Sequence, residues 1–314
     1  MYWQEREIFR EAVVSDEQST VVIDLPRSNV LSGLVVNVRA TNGATAGAQY
    51  PPEMITRLEV IADGSKELFS MTGKEAFLTT YGLTGKLPPC GHSLAANANQ
   101  FTSMLIPFGR FLGDHEYFLD CGAYTSLELR VTFNATVGDT GIVDNSLYLE
   151  VLGLMAMEGP PGPRRGTFKT SRKYHFTSAA SGDVVLDLPR ANFYRRLIVA
   201  TLGENKTVRD TYSRLALDVN NGEKVIFAGR AMGQYFKSIL ELGLEQKLAE
   251  DTASDTLSKT SIPLTIGDIL IIPFDIGGEM ANCLNSAIYD KVTLTLTQAT
   301  AGVETSVILQ EVLG

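Results

Sequence analysis

The chain has 314 residues, 44% hydrophobic and 20% charged, with a net charge of −9 and a pI near 5.0. Such length and composition suit two soluble cores, and the acidic balance argues against a broad nucleic-acid-binding face. The longest run free of polar side chains, Val151–Met157 (VLGLMAM), is far short of the ~20 residues of a membrane helix.

Met1–Val14 (MYWQEREIFREAVV) opens with alternating charges rather than a basic stretch and an apolar core, so no secretory signal is expected. It reads as an N-terminal arm, residues 1–17, outside the body of the fold. Trp3, the chain's only tryptophan, and Ile8 and Phe9 are its candidate assembly contacts. The arm's charges are balanced and its apolar face small, which does not support strong electrostatic binding to a membrane.

From residue 18 the dominant pattern is period-2 alternation, as in Ser126–Phe133 (SLELRVTF), where Leu127, Leu129 and Val131 alternate with polar residues. This is the signature of a half-buried strand. Eight strands are predicted in the first half, at about 19–25, 32–41, 54–62, 65–70, 102–108, 116–120, 125–135 and 145–156. Asp63-Gly64 marks a tight hairpin turn, and a helix is expected at about 73–83. Glu158–Gly166 (EGPPGPRRG) holds three Pro and three Gly, so residues 159–166 read as a short stiff linker between domains 18–158 and 167–314.

The second half repeats the first. VVIDLPRSNV (Val21–Val30) returns as VVLDLPRANF (Val184–Phe193), and RLEVIADGSKELF (Arg57–Phe69) as RLALDVNNGEKVIF (Arg214–Phe227). Ile106-Pro107-Phe108 returns as Ile272-Pro273-Phe274. YTSLELRVTFNATVG (Tyr124–Gly138) returns as YDKVTLTLTQATAG (Tyr289–Gly302), and SLYLEVLG (Ser146–Gly153) as SVILQEVLG (Ser306–Gly314). Five blocks in one order make a duplication, with a unit far longer than a solenoid repeat. Asn221-Gly222 gives the second hairpin. A longer helix is expected at about 229–251, with Met232, Phe236, Ile239, Leu240, Leu244 and Leu248 at helical spacing and Gly243 interrupting it. Eight antiparallel strands with a helix after the fourth suggest a jelly roll in each half, with a barrel or an immunoglobulin-like sandwich as competing topologies.

Chemistry-bearing motifs are weak. Gly91-His92-Ser93-Leu94-Ala95 approaches a nucleophile elbow, but Pro88-Pro89 precede it where a buried strand is required. His115-Glu116 lacks the second histidine of a zinc helix, so Asp114–Glu116 reads as a solvated turn. The histidines His92, His115 and His175 lie far apart, no phosphate-binding loop is present, and Cys90, Cys121 and Cys283 form no CxxC pair. No catalytic residue, cofactor or metal ligand is assigned, and a non-enzymatic chain folding in a reducing cytoplasm is expected. What the halves share (Asp24/Asp187, Pro26/Pro189, Arg27/Arg190, Arg57/Arg214) is scaffold.

The duplicated halves, the pattern I-x-R-L-x-V-x-A-x-G (Ile55–Gly64), IPFGR (Ile106–Arg110) and the long strand after Tyr124 resemble one family. It is the double jelly-roll major capsid proteins of tailless icosahedral, membrane-containing viruses, and the chain looks like the compact bacteriophage members. The resemblance implies two upright rolls per chain, a homotrimer of pseudo-hexameric outline and an icosahedral shell. It also implies a location in the virion after synthesis in the host cytoplasm, with neighbouring capsomers and a vertex protein as partners and no direct contact with nucleic acid. An arm such as residues 1–17 would lie beneath the capsomer, against a neighbour or the internal membrane. The alternatives are a two-domain carbohydrate-binding or spike module, which needs exposed aromatic platforms, and a two-domain jelly-roll enzyme.

Overall fold

The computed structural model describes residues 2–14, 18–203, 206–243, 247–251, 256–260 and 266–314. They form two compact units, Met1–Thr80 with Pro88–Ser171 and Leu313–Gly314, and Tyr81–Leu87 with Arg172–Val312.

Eight long strands build the first half: β1 (Tyr2–Val13), β2 (Ser19–Asp24), β3 (Val30–Thr41), β4 (Ile55–Ala62), β5 (Lys66–Met71), β6 (Asn99–Pro107), β7 (Leu127–Phe133) and β8 (Tyr148–Met157), with the two-residue strands Cys90–Gly91 beside β6 and Leu119–Asp120 beside β3. Helix α1 (Gly73–Thr84) stands between β5 and β6. One sheet runs β1-β8-β3-β6 and the other β2-β7-β4-β5, all antiparallel. The second half follows the same plan with β9 (Thr167–Thr177), β10 (Asp183–Asp187), β11 (Phe193–Leu202), β12 (Tyr212–Val219), β13 (Lys224–Arg230), β14 (Gly267–Pro273), β15 (Val292–Gln298) and β16 (Glu304–Leu313). Helix α2 (Ala231–Leu242) stands between β13 and β14. Its sheets run β9-β16-β11-β14 and β10-β15-β12-β13. Strand n of one half thus occupies the place of strand n + 8 of the other. This interleaving of early and late strands across two facing sheets is the jelly roll, twice over.

Alternation builds the cores. In the second half Leu197 and Val199 of β11 face Leu215 and Leu217 of β12, with Leu294, Leu296, Val307 and Leu309 closing the cluster. In the first half the alternate residues Leu34, Val36 and Val38 of β3 and Leu129 and Val131 of β7 are buried. Side chains of period-2 strands reach a shared interior only from one face of each sheet.

The repeated sequence blocks are repeated contacts. Leu25 N–H donates to Leu127 O at 2.9 Å, and Leu188 N–H to Val292 O at 2.9 Å. Arg27 Nη1 donates to Thr125 O at 3.1 Å, and Arg190 Nη1 to Tyr289 O at 3.0 Å. The hairpin turns do the same: Asp63 Oδ1 accepts from Thr125 N and Asn220 Oδ1 from Asp290 N, at 2.8 and 2.9 Å. Asp63, Asn220 and Asn221 all have positive φ, the conformation that Asx-Gly turns require.

Three expectations are corrected. Tyr2–Val13 is no arm outside the fold: it is β1, hydrogen-bonded along β8, and it stands in the first roll where β9 stands in the second. Residues 116–120, expected as a full strand, contribute only Leu119–Asp120 beside β3. The second helix ends at Leu242, because Gly243 adopts a left-handed cap and its N–H closes on Ile239 O. Lys247–Asp251 is then a strand, paired with Thr256–Thr260, rather than the end of that helix. Leu244 lies outside the described residues.

Candidate functional site

The three residues singled out on the N-terminal stretch are brought together by β1. A register shift opposite Leu152 and Val151 leaves Ile8 unpaired, a bulge that turns its side chain toward Gly153. A Cβ at Gly153 would lie 2.4 Å from Ile8 Cδ1, so the glycine leaves the space that Ile8 fills. Trp3 packs on Val30, Phe118 and Ala156, with its ring edge-on to His115 at 6.2 Å. Phe9 pairs with Val151 and is half-buried. All three therefore fasten an edge strand to its own roll.

Outward from these, the β1-β8-β3-β6 sheet presents an open polar and aromatic face. Arg39 stacks on Tyr148 with its guanidinium carbon 3.8 Å from the ring centre and pairs with Glu11, whose carboxyl this bond holds below its usual range. Asn37 Nδ2 donates to Glu150 Oε2 and Ser103 Oγ to Asn37 Oδ1, each at 2.7 Å. With Phe101 these residues line a shallow depression of about 230 Å³. A larger groove of about 520 Å³ lies between Asn29, Val30, Phe118 and Asp120 and the Pro/Gly segment Gly159–Arg164.

The motifs with chemical potential do not assemble. His92 stands between Tyr50 and Phe77, ring centres 5.3 and 5.4 Å away, and burial pushes its imidazole down to about 4, so it is neutral at ordinary pH. Ser93 Oγ accepts from Ala95 N at 3.2 Å, a local turn bond. His175 Nδ1 lies 3.1 Å from Ser306 Oγ. Among the described residues no three His, Cys, Asp or Glu side chains cluster as metal ligands would.

The 114–116 turn is a correction. Asp114 is fully buried, accepting from Arg110 Nε at 2.7 Å, Arg110 Nη2 at 2.8 Å and the backbone N–H groups of Arg110 and Glu116. Burial alone would raise its pKa, but the Arg110 guanidinium and the two N–H groups outweigh that and hold it below the usual carboxylate value. Arg110 continues to Glu116, which also pairs with Arg165 at 2.9 Å. This charged knot fixes the IPFGR corner. Its one sequence signal is the i,i+4 spacing of Arg110 and Asp114.

No family model and no curated protein matches the sequence. Solved structures do match. The major capsid protein of Sulfolobus turreted icosahedral virus is 15% identical with a TM-score of 0.72, over 100% of this chain and 97% of that one. The chain has the double jelly-roll fold. Two further double jelly rolls agree over nearly their whole length. The major capsid protein P2 of bacteriophage PM2 is 11% identical with a TM-score of 0.63, over 100% of this chain and 98% of that one. The Faustovirus major capsid protein is 9% identical with a TM-score of 0.58, over 99% and 90%. At such identities the likeness lies in the backbone plan. The sequence repeat accounts for it, since both rolls are needed to cover these chains.

Proposed function

We propose that the chain is the major capsid protein of an icosahedral virus, a structural subunit that works by self-assembly. The observation that carries this reading is the full-length match of both rolls, with no domain left over, to capsid subunits such as those of Sulfolobus turreted icosahedral virus and bacteriophage PM2. The duplication supports it in physical terms. Two like-built rolls in one chain give three chains six similar lobes, so a trimer of pseudo-hexameric outline tiles a hexagonal lattice. Its interfaces draw on apolar burial within a polar rim.

The finer assignments follow the same reading. The virus is of the bacteriophage type with an internal membrane, and the shell includes a separate vertex protein and capsomers touching capsomers. The subunit is made in the host cytoplasm and makes no direct contact with nucleic acid. Trp3, Ile8 and Phe9 serve assembly by holding β1 in place as the edge of the first roll. Light scattering on the purified chain tests the core of the proposal. A stable particle near three times 34.1 kDa is expected, and a monomer across the micromolar range contradicts it.

A further inference from the structure

The two helices match position for position, Gly73–Thr84 against Ala231–Leu242, and each is closed by a left-handed glycine, Gly85 or Gly243. Their inward residues also match: Phe77 and Thr80 are buried, as are Tyr235 and Ser238. Their outward faces do not match. Leu78 is fully buried and Gly82 is covered, whereas the equivalent Phe236 is 49% and Leu240 84% exposed, with Met232 completing an apolar stripe one turn apart. Three apolar side chains at i, i+4 and i+8 on a helix face that the described residues leave uncovered mark a surface that buries something.

What covers Gly82 is in the structure. Its last turn belongs to the second unit, and a Cβ at Gly82 would lie 2.2 Å from Ile271 Cδ1 and 3.1 Å from Ile269 Cδ1 of β14. Strands β11 and β14 are accordingly buried on both faces: every residue of β11 after Phe193 and every residue of β14 before Pro273. The counterpart sheet in the first unit alternates between buried and half-exposed residues, so one of its faces is open. Aligning Ile106-Pro107-Phe108 with Ile272-Pro273-Phe274 puts Ser103 and Leu105 of β6 at the places of Ile269 and Ile271, with 48%-exposed Phe101 beside them.

We infer that the Met232/Phe236/Leu240 face of α2 seats on the Phe101/Ser103/Leu105 face of β6 in a second copy of this chain. The contact continues, from chain to chain, the one that Gly82 makes with β14. Side-chain volumes favour the pairing. A glycine meets two isoleucines at the covered contact, while at the open one the large Leu240 meets a serine and a leucine, so the exchange conserves volume. Because the helix of one copy meets the sheet of the next, the interface is head-to-tail, and a threefold rotation closes it into a ring of three. The inference rests on the proposed shell role and names the surface through which that trimer forms.

Disulfide trapping tests it in the full chain with Cys90→Ser, which removes the half-buried thiol next to β6. Leu240→Cys combined with Leu105→Cys is expected to give covalent dimers and closed trimers on oxidation, reversed by reductant. Either cysteine alone should give neither species. Separately, Phe236→Asp with Leu240→Asp should reduce the mass in solution about threefold, to one chain, with the melting temperature of the rolls unchanged. A trimer that survives both aspartates and forms no cross-link overturns the inference and leaves the shell role standing. A monomeric wild-type chain overturns both.

Discussion

At the scale of single residues, the buried acid Asp268 on β14 is the most informative. Its Oδ2 accepts from Val208 N at 3.0 Å, and its Oδ1 has no hydrogen-bond partner among the described residues. Burial raises its pKa from 3.8 to about 6. The N–H groups of Val208 and Ile269 and the charge of Arg209 oppose that shift, and Asp210 adds to it. The folded state therefore binds this proton more tightly than the unfolded one. The stabilisation is complete below about pH 4 and is lost as the pH rises to about 6, amounting to roughly 3 kcal/mol at full effect. Asp268→Asn keeps an acceptor for Val208 but does not titrate. Melting curves from pH 4 to 7.5 should show wild type losing stability relative to the variant as the pH rises. Parallel curves would mean that Asp268 is solvated. Asp114 has the opposite sign, since its pKa lies below the usual value: the Arg110–Asp114 knot stabilises the fold above the ordinary carboxylate pKa and weakens in acid.

At the scale of elements, β1 is the test case. Read as an arm, it would be dispensable to the fold. As the edge of the β1-β8-β3-β6 sheet, it covers the backbone of β8 and buries parts of Trp3, Ile8 and Phe9. Deleting residues 2–13 should cost roughly 4 kcal/mol from apolar burial alone, about 10 °C for a roll of this size, and expose an unpaired strand edge that promotes aggregation. An unchanged melting temperature would show that β1 contributes little to the roll. Much of this architecture was legible in the sequence. The Asx-Gly turns, the alternation of Leu127–Phe133 and the repeated DLPR block each became the same bonds in both halves. Seven of the eight expected strands are long strands, 116–120 shrinks to Leu119–Asp120, and β1 is one the expectation lacked. β1 carries charge along most of its length because an edge strand is half-solvated, so it lacks the alternation that reveals a buried strand. Residues 116–120 offer the apolar run Tyr117-Phe118-Leu119, yet most of that stretch serves the Asp114 knot and the groove beside it. Helix α2 stops at Gly243 because αL caps end helices, a signal visible beforehand as a glycine inside the periodic run.

At the scale of the whole molecule, two facts of different kinds meet. The sequence repeats without repeating any reactive cluster, and the backbone matches capsid subunits from end to end. Assembly surfaces were the part that sequence could not reveal, because an outward position on a strand or helix reads alike whether it meets water or another subunit. Equivalent positions differ: Leu78 and Gly82 are buried, whereas Phe236 and Leu240 are exposed. Electron microscopy of the purified assembly at a resolution that separates lobes is the most direct measurement. The account predicts capsomers of six upright lobes built from three chains. Isolated two-lobed particles, or rings with any other number of lobes, would contradict it.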